Sequence, residues 1–254
     1  MVKTGIIRES NSPWSSPIVL APKPDGTIRF CVDYRRLNDI TRKDAHPLPR
    51  ISDAVNQLGG NSLFSSLDFV AGYWQIPMAA ESQEKTAFTT PLGLYEFTVM
   101  PFGLTNAPAT YQRLMHNVFR DLNNNICLIY LDDIVVFSPD FDSHIKRLRQ
   151  VFDCIRSSGM KLKPQKCEFL RKSLVYLGFL ITDKGVTADP RKVDKVREWP
   201  VPENVSELKT FMGFACYHQQ FVKDFASIAK PLYQLYSDKD SFNWTAACQG
   251  AFDT

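Results

Sequence analysis

Two adjacent carboxylates, Asp132 and Asp133, interrupt one of the most apolar stretches of the chain, ICLIYLDDIVVFS from Ile126 to Ser138. An ionised carboxylate taken out of water costs several kcal/mol unless it is paired, coordinated or neutralised, so a doublet persists there only with compensation. The flanking runs ICLIYL and IVVFS are short and of β type, which places the pair at or beside a hairpin tip. A solvated turn would by itself account for acidic residues at such a tip, because Asp is an ordinary turn residue. A third carboxylate argues for more. Asp68 lies in another β-type run, SLFSSLDFV, with a helical pattern between it and the doublet. A strand–helix–hairpin unit of that spacing brings both strands into one sheet and lets the three carboxylates converge. Like charges that close repel strongly at intermediate dielectric, so the cluster calls for a divalent cation. Hard oxygen donors with no His or Cys nearby select magnesium or manganese.

The 254 residues, 44% hydrophobic and 12% aromatic, suffice for a sizeable core. A formal charge of +3 is too small to diagnose a nucleic-acid partner from the total. The six cysteines are scattered with no CxxC pair, and with only four histidines a zinc site is not expected. Most of these cysteines sit among apolar residues, which fits reduced thiols in an intracellular chain. The opening MVKTGIIRESNSP has no apolar signal region, and the longest apolar run falls far short of a membrane span, so a soluble protein is expected.

Along the chain, SNSPWSSPIVLAPKPDG reads as an irregular entry with a short strand at Ile18 to Ala21. Pro24-Asp25-Gly26 then turns into TIRFCVDY as a hairpin, with Lys23 and Arg29 flanking the tip. A helix from near Ser52 to Gly59-Gly60 carries Ile51, Val55 and Leu58 on one face. NAPATYQRLMHNVFRDLN predicts a second, with Tyr111, Leu114, Met115, Val118, Phe119 and Leu122 at helical spacing. A third, Asp142 to Ser158, is expected to turn Ile145, Leu148, Phe152 and Ile155 inward, show Lys146, Arg147, Arg149 and Arg156 outward, and stop at Gly159. SLVYLGFLIT is strand-like and DKGVTADPRK breaks it. Beyond WPVPENVSELK the pattern is helical, with stripes Leu208, Phe211, Met212, Ala215 and Phe221, Phe225, Ile228, and a boundary is expected near residue 183.

RFCVDYRRLN, SLDFVAGYWQIPM, TAFTTPLGLYEFTVMPFGLTNAPATYQRLM, YLDDIVVFS, LKPQKCEFL and YLGFLIT together resemble the successive motifs of the reverse transcriptases of Gypsy-type long-terminal-repeat retrotransposons, relatives of the retroviral enzymes. The resemblance continues through ELKTFMGFACYHQQFVKDFASIAKPLYQL. It implies an α+β fold: a right-hand polymerase with an antiparallel-sheet palm packed on helices, fingers hairpins and a helical thumb. The implied division is fingers 1–46 and 77–105, palm 47–76 and 106–183, and thumb with the start of the connection 184–254.

The resemblance also implies roles. Asp68, Asp132 and Asp133, with the backbone carbonyl of Phe69, would bind two magnesium ions, for which manganese can substitute. Lys166 matches the lysine that protonates pyrophosphate, with Lys163 near enough to compete. Lys23 and Arg29 would clamp the incoming triphosphate, Val70, Ala71 and Gly72 would line the nucleotide, and Tyr73 would exclude a 2′-hydroxyl. Phe102 stands where retroviral enzymes carry glutamine, and Ala71 where many relatives have a second acidic residue. Arg35 falls at a template-backbone position, Tyr130 beside the primer terminus, and Leu177 with Gly178 at the primer-grip hairpin. YHQQF replaces the usual Tyr-Tyr-Arg-Arg-Phe, removing two cations that would touch phosphate.

The implied function is RNA- and DNA-templated DNA synthesis by extension of a primer 3′-hydroxyl with dNTPs. A template–primer duplex, dNTPs, and a second copy or other parts of a polyprotein are the expected partners, with no membrane. The expected location is the cytoplasm, within a virus-like particle, with the nucleus as the alternative. A catalytically silent nucleic-acid-binding subunit or domesticated remnant is the rival reading, and an RNA-dependent RNA polymerase conflicts with Tyr73. With SFNWTAACQGAFDT at its end, the chain is expected to lack ribonuclease H activity.

Overall fold

The computed structural model describes residues 1–22, 26–237 and 242–254, and Lys23, Pro24 and Asp25 of the expected hairpin tip lie outside them. The chain separates into two compact units, Met1–Leu174 with Thr182–Lys184, and Val175–Ile181 with Gly185–Thr254.

The strands of the first unit are β1 (Ile7–Glu9), β2 (Ser16–Pro22), β3 (Ile28–Val32), β4 (Leu63–Asp68), β5 (Phe88–Thr90), β6 (Gly93–Phe97), β7 (Cys127–Tyr130), β8 (Asp133–Ser138) and β9 (Glu168–Arg171). Its helices are α1 (Arg35–Ile40), α2 (Ile51–Asn56), α3 (Ala80–Gln83), α4 (Ala107–Val118) and α5 (Phe141–Ser158). One sheet runs β1-β6-β5-β2-β3 and is antiparallel except where β2 pairs parallel with β5. It closes on a core of Ile7, Val32, Tyr34, Phe88 and Phe97.

The second sheet, β7-β8-β4-β9, positions the acidic residues. Ile134, Val135, Val136 and Phe137 are all buried, so β8 is covered on both faces, and it reads as the continuous apolar run such a strand requires. One face packs Leu67, Ile129, Ile134 and Val136 with Tyr111 and Met115 of α4 and Leu148, Val151 and Ile155 of α5. Asp140 caps α5 by accepting from the Ser143 amide at 2.9 Å, and Gly159 ends the helix at φ 72°, as expected.

The inward stripe of α5 differs from the expected one. Ile145 is exposed, and His144, Leu148, Val151 and Ile155 face the sheet. A buried imidazole takes the place that hydropathy assigned to the isoleucine, because hydroxyls beneath it satisfy both ring nitrogens.

A three-stranded sheet follows, β10 (Ser173–Tyr176), β11 (Phe179–Thr182) and β12 (Gly185–Ala188), and the second unit takes most of its residues together with α6 (Pro190–Arg197), α7 (Val205–Tyr217), α8 (Phe225–Ile228), α9 (Lys230–Ser237) and α10 (Ala246–Asp253). Leu208, Phe211 and Met212 join Leu232, Leu235 and Cys248 in its core. Phe221 belongs to a separate 3-10 turn and is exposed, so the second expected stripe is not one helix face. All six cysteines are free thiols. No helix among the described residues is long and apolar enough to cross a membrane.

Candidate active site at the end of the four-stranded sheet

In the β4–β8 register Leu63 faces Ser138, and the ladder ends with Asp68 opposite Asp133. Tyr130 pairs with Asp133, leaving Leu131 and Asp132 as a two-residue hairpin loop. Leu131 sits at φ 53°, a first-loop-position conformation that favours glycine. The amide of Gln112 holds it there: Leu131 N–H donates to Gln112 Oε1 at 2.8 Å, and Gln112 Nε2 donates to Ile129 O at 3.4 Å. Gln112 is buried on α4 and was not among the expected site residues. A glutamine inside an otherwise apolar helical stripe is the signal that could have found it.

Both doublet carboxyls titrate above the ordinary carboxylate range. For Asp132 withdrawal of water comes first and the charge of Asp68 adds to it, while Lys166 opposes. For Asp133 the same loss of water is followed by the charges of Asp132 and Asp68. Asp68 Oδ2 stands 3.4 Å from Lys166 Nζ. Lys163 instead contributes its backbone, donating N–H to Asp68 O at 2.8 Å, so of the two lysines it is Lys166 whose ammonium reaches the acidic group.

Among the described residues no three His, Cys, Asp or Glu side chains stand together as a closed metal-ligand set. The register unites the backbones of Asp68 and Asp133, while the carboxylates are not converged as the spacing led one to expect, Asp68 being turned onto Lys166. The donor chemistry still fits a hard divalent cation, since among the described residues only the Lys166 ammonium is paired with the three carboxylates at this sheet end, and burial followed by the charge of Asp68, joined at Asp133 by that of Asp132, pushes two of them up.

Beyond Asp68 the chain passes buried Phe69, bridged to Leu162, and exposed Val70. It then turns through Ala71 at φ 46°, ψ 54° into a 3-10 turn, Gly72–Gln75. The Tyr73 ring lies between Phe102, 5.0 Å away, and Tyr111, 5.2 Å away. Gly72 is required here because a Cβ would lie 2.8 Å from Tyr111 Oη. That hydroxyl is buried without a hydrogen-bond partner among the described residues. Burial, and then the charge of Asp132, push the Tyr73 phenol upward, so it stays neutral.

Arg29 is exposed on β3 opposite Ala21. Arg35 begins α1 and grips Asp33 through Nε at 2.9 and 3.0 Å and Nη2 at 2.6 Å, which holds the Asp33 carboxyl down to about 2. In the second unit Leu177 (φ 48°) and Gly178 (φ 80°) form the tight turn between β10 and β11, and Tyr217 Oη donates to Leu177 O at 2.5 Å.

An acidic hairpin tip set against an acidic neighbouring strand, on an antiparallel sheet backed by helices, is the arrangement of a nucleic-acid polymerase. Residues 21–181 match the family described as reverse transcriptase (RNA-dependent DNA polymerase), and the chain belongs to that family. Similar curated proteins include the retrovirus-related Pol polyproteins from transposon 297 and transposon gypsy of Drosophila melanogaster. The first is 42% identical over 91% of this chain and 22% of the relative, the second 37% over 92% and 23%. The chain thus spans about a fifth of the length of these relatives. Among solved structures, a foamy viral protease–reverse transcriptase in complex with double-stranded DNA superposes with a TM-score of 0.90 at 28% identity, over 99% of this chain and 44% of that one. The foamy viral protein in complex with an RNA/DNA hybrid gives 0.85 at 27% identity, over 99% and 34%.

Proposed function

We propose that this chain is the polymerase portion of a retrotransposon polyprotein, extending a primer 3′-hydroxyl with deoxynucleotides on RNA or DNA templates. The observation that carries this is the pairing of Asp68 with Asp133 beside Asp132 in a chain of the reverse transcriptase family. Asp68, Asp132 and Asp133, with the Phe69 carbonyl, are the groups that would hold divalent cations. When bound, such cations lower the pKa of the primer hydroxyl and neutralise the triphosphate and the departing pyrophosphate.

The remaining roles belong to side chains. Lys166 would deliver a proton to the leaving group, a role supported by its ammonium lying 3.4 Å from Asp68 Oδ2, where it offsets part of the carboxylate charge. Tyr73, backed by Phe102 and Tyr111, would leave no room for a 2′-hydroxyl. Arg29, with Lys23, suits triphosphate oxygens and Arg35 suits template phosphate, since a guanidinium binds both bidentately. Leu177 and Gly178 would support the primer. In this reading residues 1–46 and 77–105 are fingers, 47–76 and 106–183 palm, and 184–254 thumb with the start of the connection. The DNA and RNA/DNA duplexes bound by the foamy viral relatives support a template–primer partner.

Primer extension on poly(rA)/oligo(dT) tests it. Magnesium-dependent incorporation is expected in the wild type and a loss of about a thousandfold or more in Asp132→Asn. Duplex binding by the wild type with no metal-dependent incorporation would instead establish the silent binding subunit.

A further inference from the structure

Gln75 lies at the end of the 3-10 turn that carries Tyr73, and its side-chain amide makes three hydrogen bonds. Nε2 donates to Val70 O at 2.8 Å and to Lys161 O at 3.0 Å, and Oε1 accepts from Lys161 N–H at 2.7 Å. The orientation of the amide is fixed, because two carbonyls can only accept and a backbone N–H can only donate.

The ladder between the Asp68 strand and the Lys161–Lys166 loop runs through Lys163 N–H to Asp68 O at 2.8 Å, the Phe69–Leu162 bridge, and Val70 N–H to Lys161 O at 3.0 Å. It stops where the chain leaves the strand at Ala71. Gln75 extends it by one rung, its amide standing in for the backbone of a further strand residue. One side chain therefore ties together the segment after Asp68, the turn bearing Tyr73, and the loop that delivers Lys166 to Asp68.

We infer that Gln75 is a positioning residue that sets Tyr73 and Lys166 relative to Asp68, so that sugar selection and the chemical step both depend on its amide. The inference rests on Tyr73 acting as the sugar gate and Lys166 as the proton donor. Gln75 itself touches none of the reacting groups.

Gln75→Met keeps the length and removes every hydrogen bond. Gln75→Glu keeps one acceptor for Lys161 N–H and turns the other oxygen onto two carbonyls. In single-nucleotide primer extension both are expected to lower kcat about tenfold or more, by loosening a pre-set constellation. Preference for dCTP over CTP should fall about tenfold, with the primer–template Kd within about twofold of wild type. In a Tyr73→Ala background, Gln75→Met should bring no further loss of sugar discrimination, since the element it positions is gone.

Unchanged kcat and unchanged dCTP/CTP preference in both Gln75 variants would overturn the inference. So would losses that vanish on cooling along with a lowered Tm, since these would mark general destabilisation. Should Tyr73→Ala leave the preference at the wild-type value, the gate reading itself fails. If Tyr73→Ala relaxes the preference and the Gln75 variants do not, the positioning role alone fails.

Discussion

Asp68 and Asp133 face each other across the last rung of the β4–β8 ladder, so two strands that otherwise carry no charge end in like charge, with Asp132 one residue away in the loop. The folded chain therefore holds protons on the doublet more tightly than the unfolded chain does. Both carboxyls are raised from their ordinary value of 3.8. For a raised carboxyl the contribution to stability is greatest at low pH, declines as pH climbs from the unfolded pKa through the higher folded one, and is flat above it. Without divalent cations, Asp133→Asn is expected to raise Tm at pH 7 relative to wild type and to leave it unchanged near pH 3. Magnesium should raise wild-type Tm more than that of the variant. Calorimetry in EDTA across this range, repeated with magnesium, checks both, and a lower Tm for Asp133→Asn at pH 7 would contradict the repulsion.

Gly72 abuts Tyr111. A methyl group at residue 72 meets the phenol oxygen at 2.8 Å and its ring carbons at 3.1 and 3.2 Å, inside a packed core. Gly72→Ala is expected to destabilise the protein by about 1–3 kcal/mol as an overpacked site, with no compensation from the left-handed region, because Gly72 does not occupy it. Displacing Tyr111 should also unseat Tyr73, so discrimination against ribonucleotides should fall along with stability. The double variant Gly72→Ala/Tyr111→Phe, which removes the colliding oxygen, is expected to recover most of both in urea unfolding and in primer extension.

Gln112 holds a residue in a conformation it disfavours. Leucine at φ 53° costs about 1–2 kcal/mol, and the bond from Leu131 N–H to Gln112 Oε1 offsets it. Gln112→Met removes the acceptor at nearly constant volume and is expected to let the Leu131-Asp132 loop relax. kcat for nucleotide addition should fall about tenfold to a hundredfold with primer–template affinity retained. Leu131→Gly in the same background is expected to restore part of the rate, because glycine adopts that backbone without the side-chain bond. No recovery would show that the loop is held by something other than Gln112.

That Asp68 and the doublet end neighbouring strands was legible because charge inside an apolar run has few explanations, although the expected convergence of their carboxylates is not found, and helix α4 was legible because Tyr111, Met115 and Phe119 recur at helical spacing. The amide clamps were not. Gln112 acts 19 residues along the chain and Gln75 acts 86 residues away, each replacing a backbone partner that only the folded register creates. A glutamine within the apolar stripe of a helix marks Gln112 as unusual without naming its partner, and no such pattern surrounds Gln75. The same limit explains Ile145. An amphipathic reading chooses the isoleucine over the neighbouring His144, and only the positions of Ser65 and Ser138 make burial of the imidazole tolerable.

His144 is fully buried between those two hydroxyls, and counting protons fixes its state. Ser138 Oγ gives its proton to Asp140 O at 2.9 Å, so toward His144 Nδ1, 2.8 Å away, it accepts. Nδ1 therefore carries the ring hydrogen. Nε2 is the acceptor, taking the proton of Ser65 Oγ at 2.7 Å, while that oxygen accepts Leu170 N–H at 3.1 Å. Every polar atom is satisfied in this neutral tautomer, and a second ring proton would leave the Ser65 hydroxyl proton without an acceptor. Burial, followed by the charge of Arg147, lowers the imidazole below its ordinary 6.5. The folded chain thus binds this proton less tightly than the unfolded chain. The stabilisation is complete above pH 6.5 and is lost as pH falls through the window between the unfolded and folded values. His144→Phe strands both serines, one acceptor on Ser138 and one donor on Ser65, and should cost about 2–4 kcal/mol at pH 7.5 in urea unfolding. The gap between wild type and variant should narrow at pH 5, where the wild type has begun to give up its share. A gap that stays constant between the two pH values, or an imidazole ¹⁵N spectrum showing hydrogen on Nε2, would rule out this network.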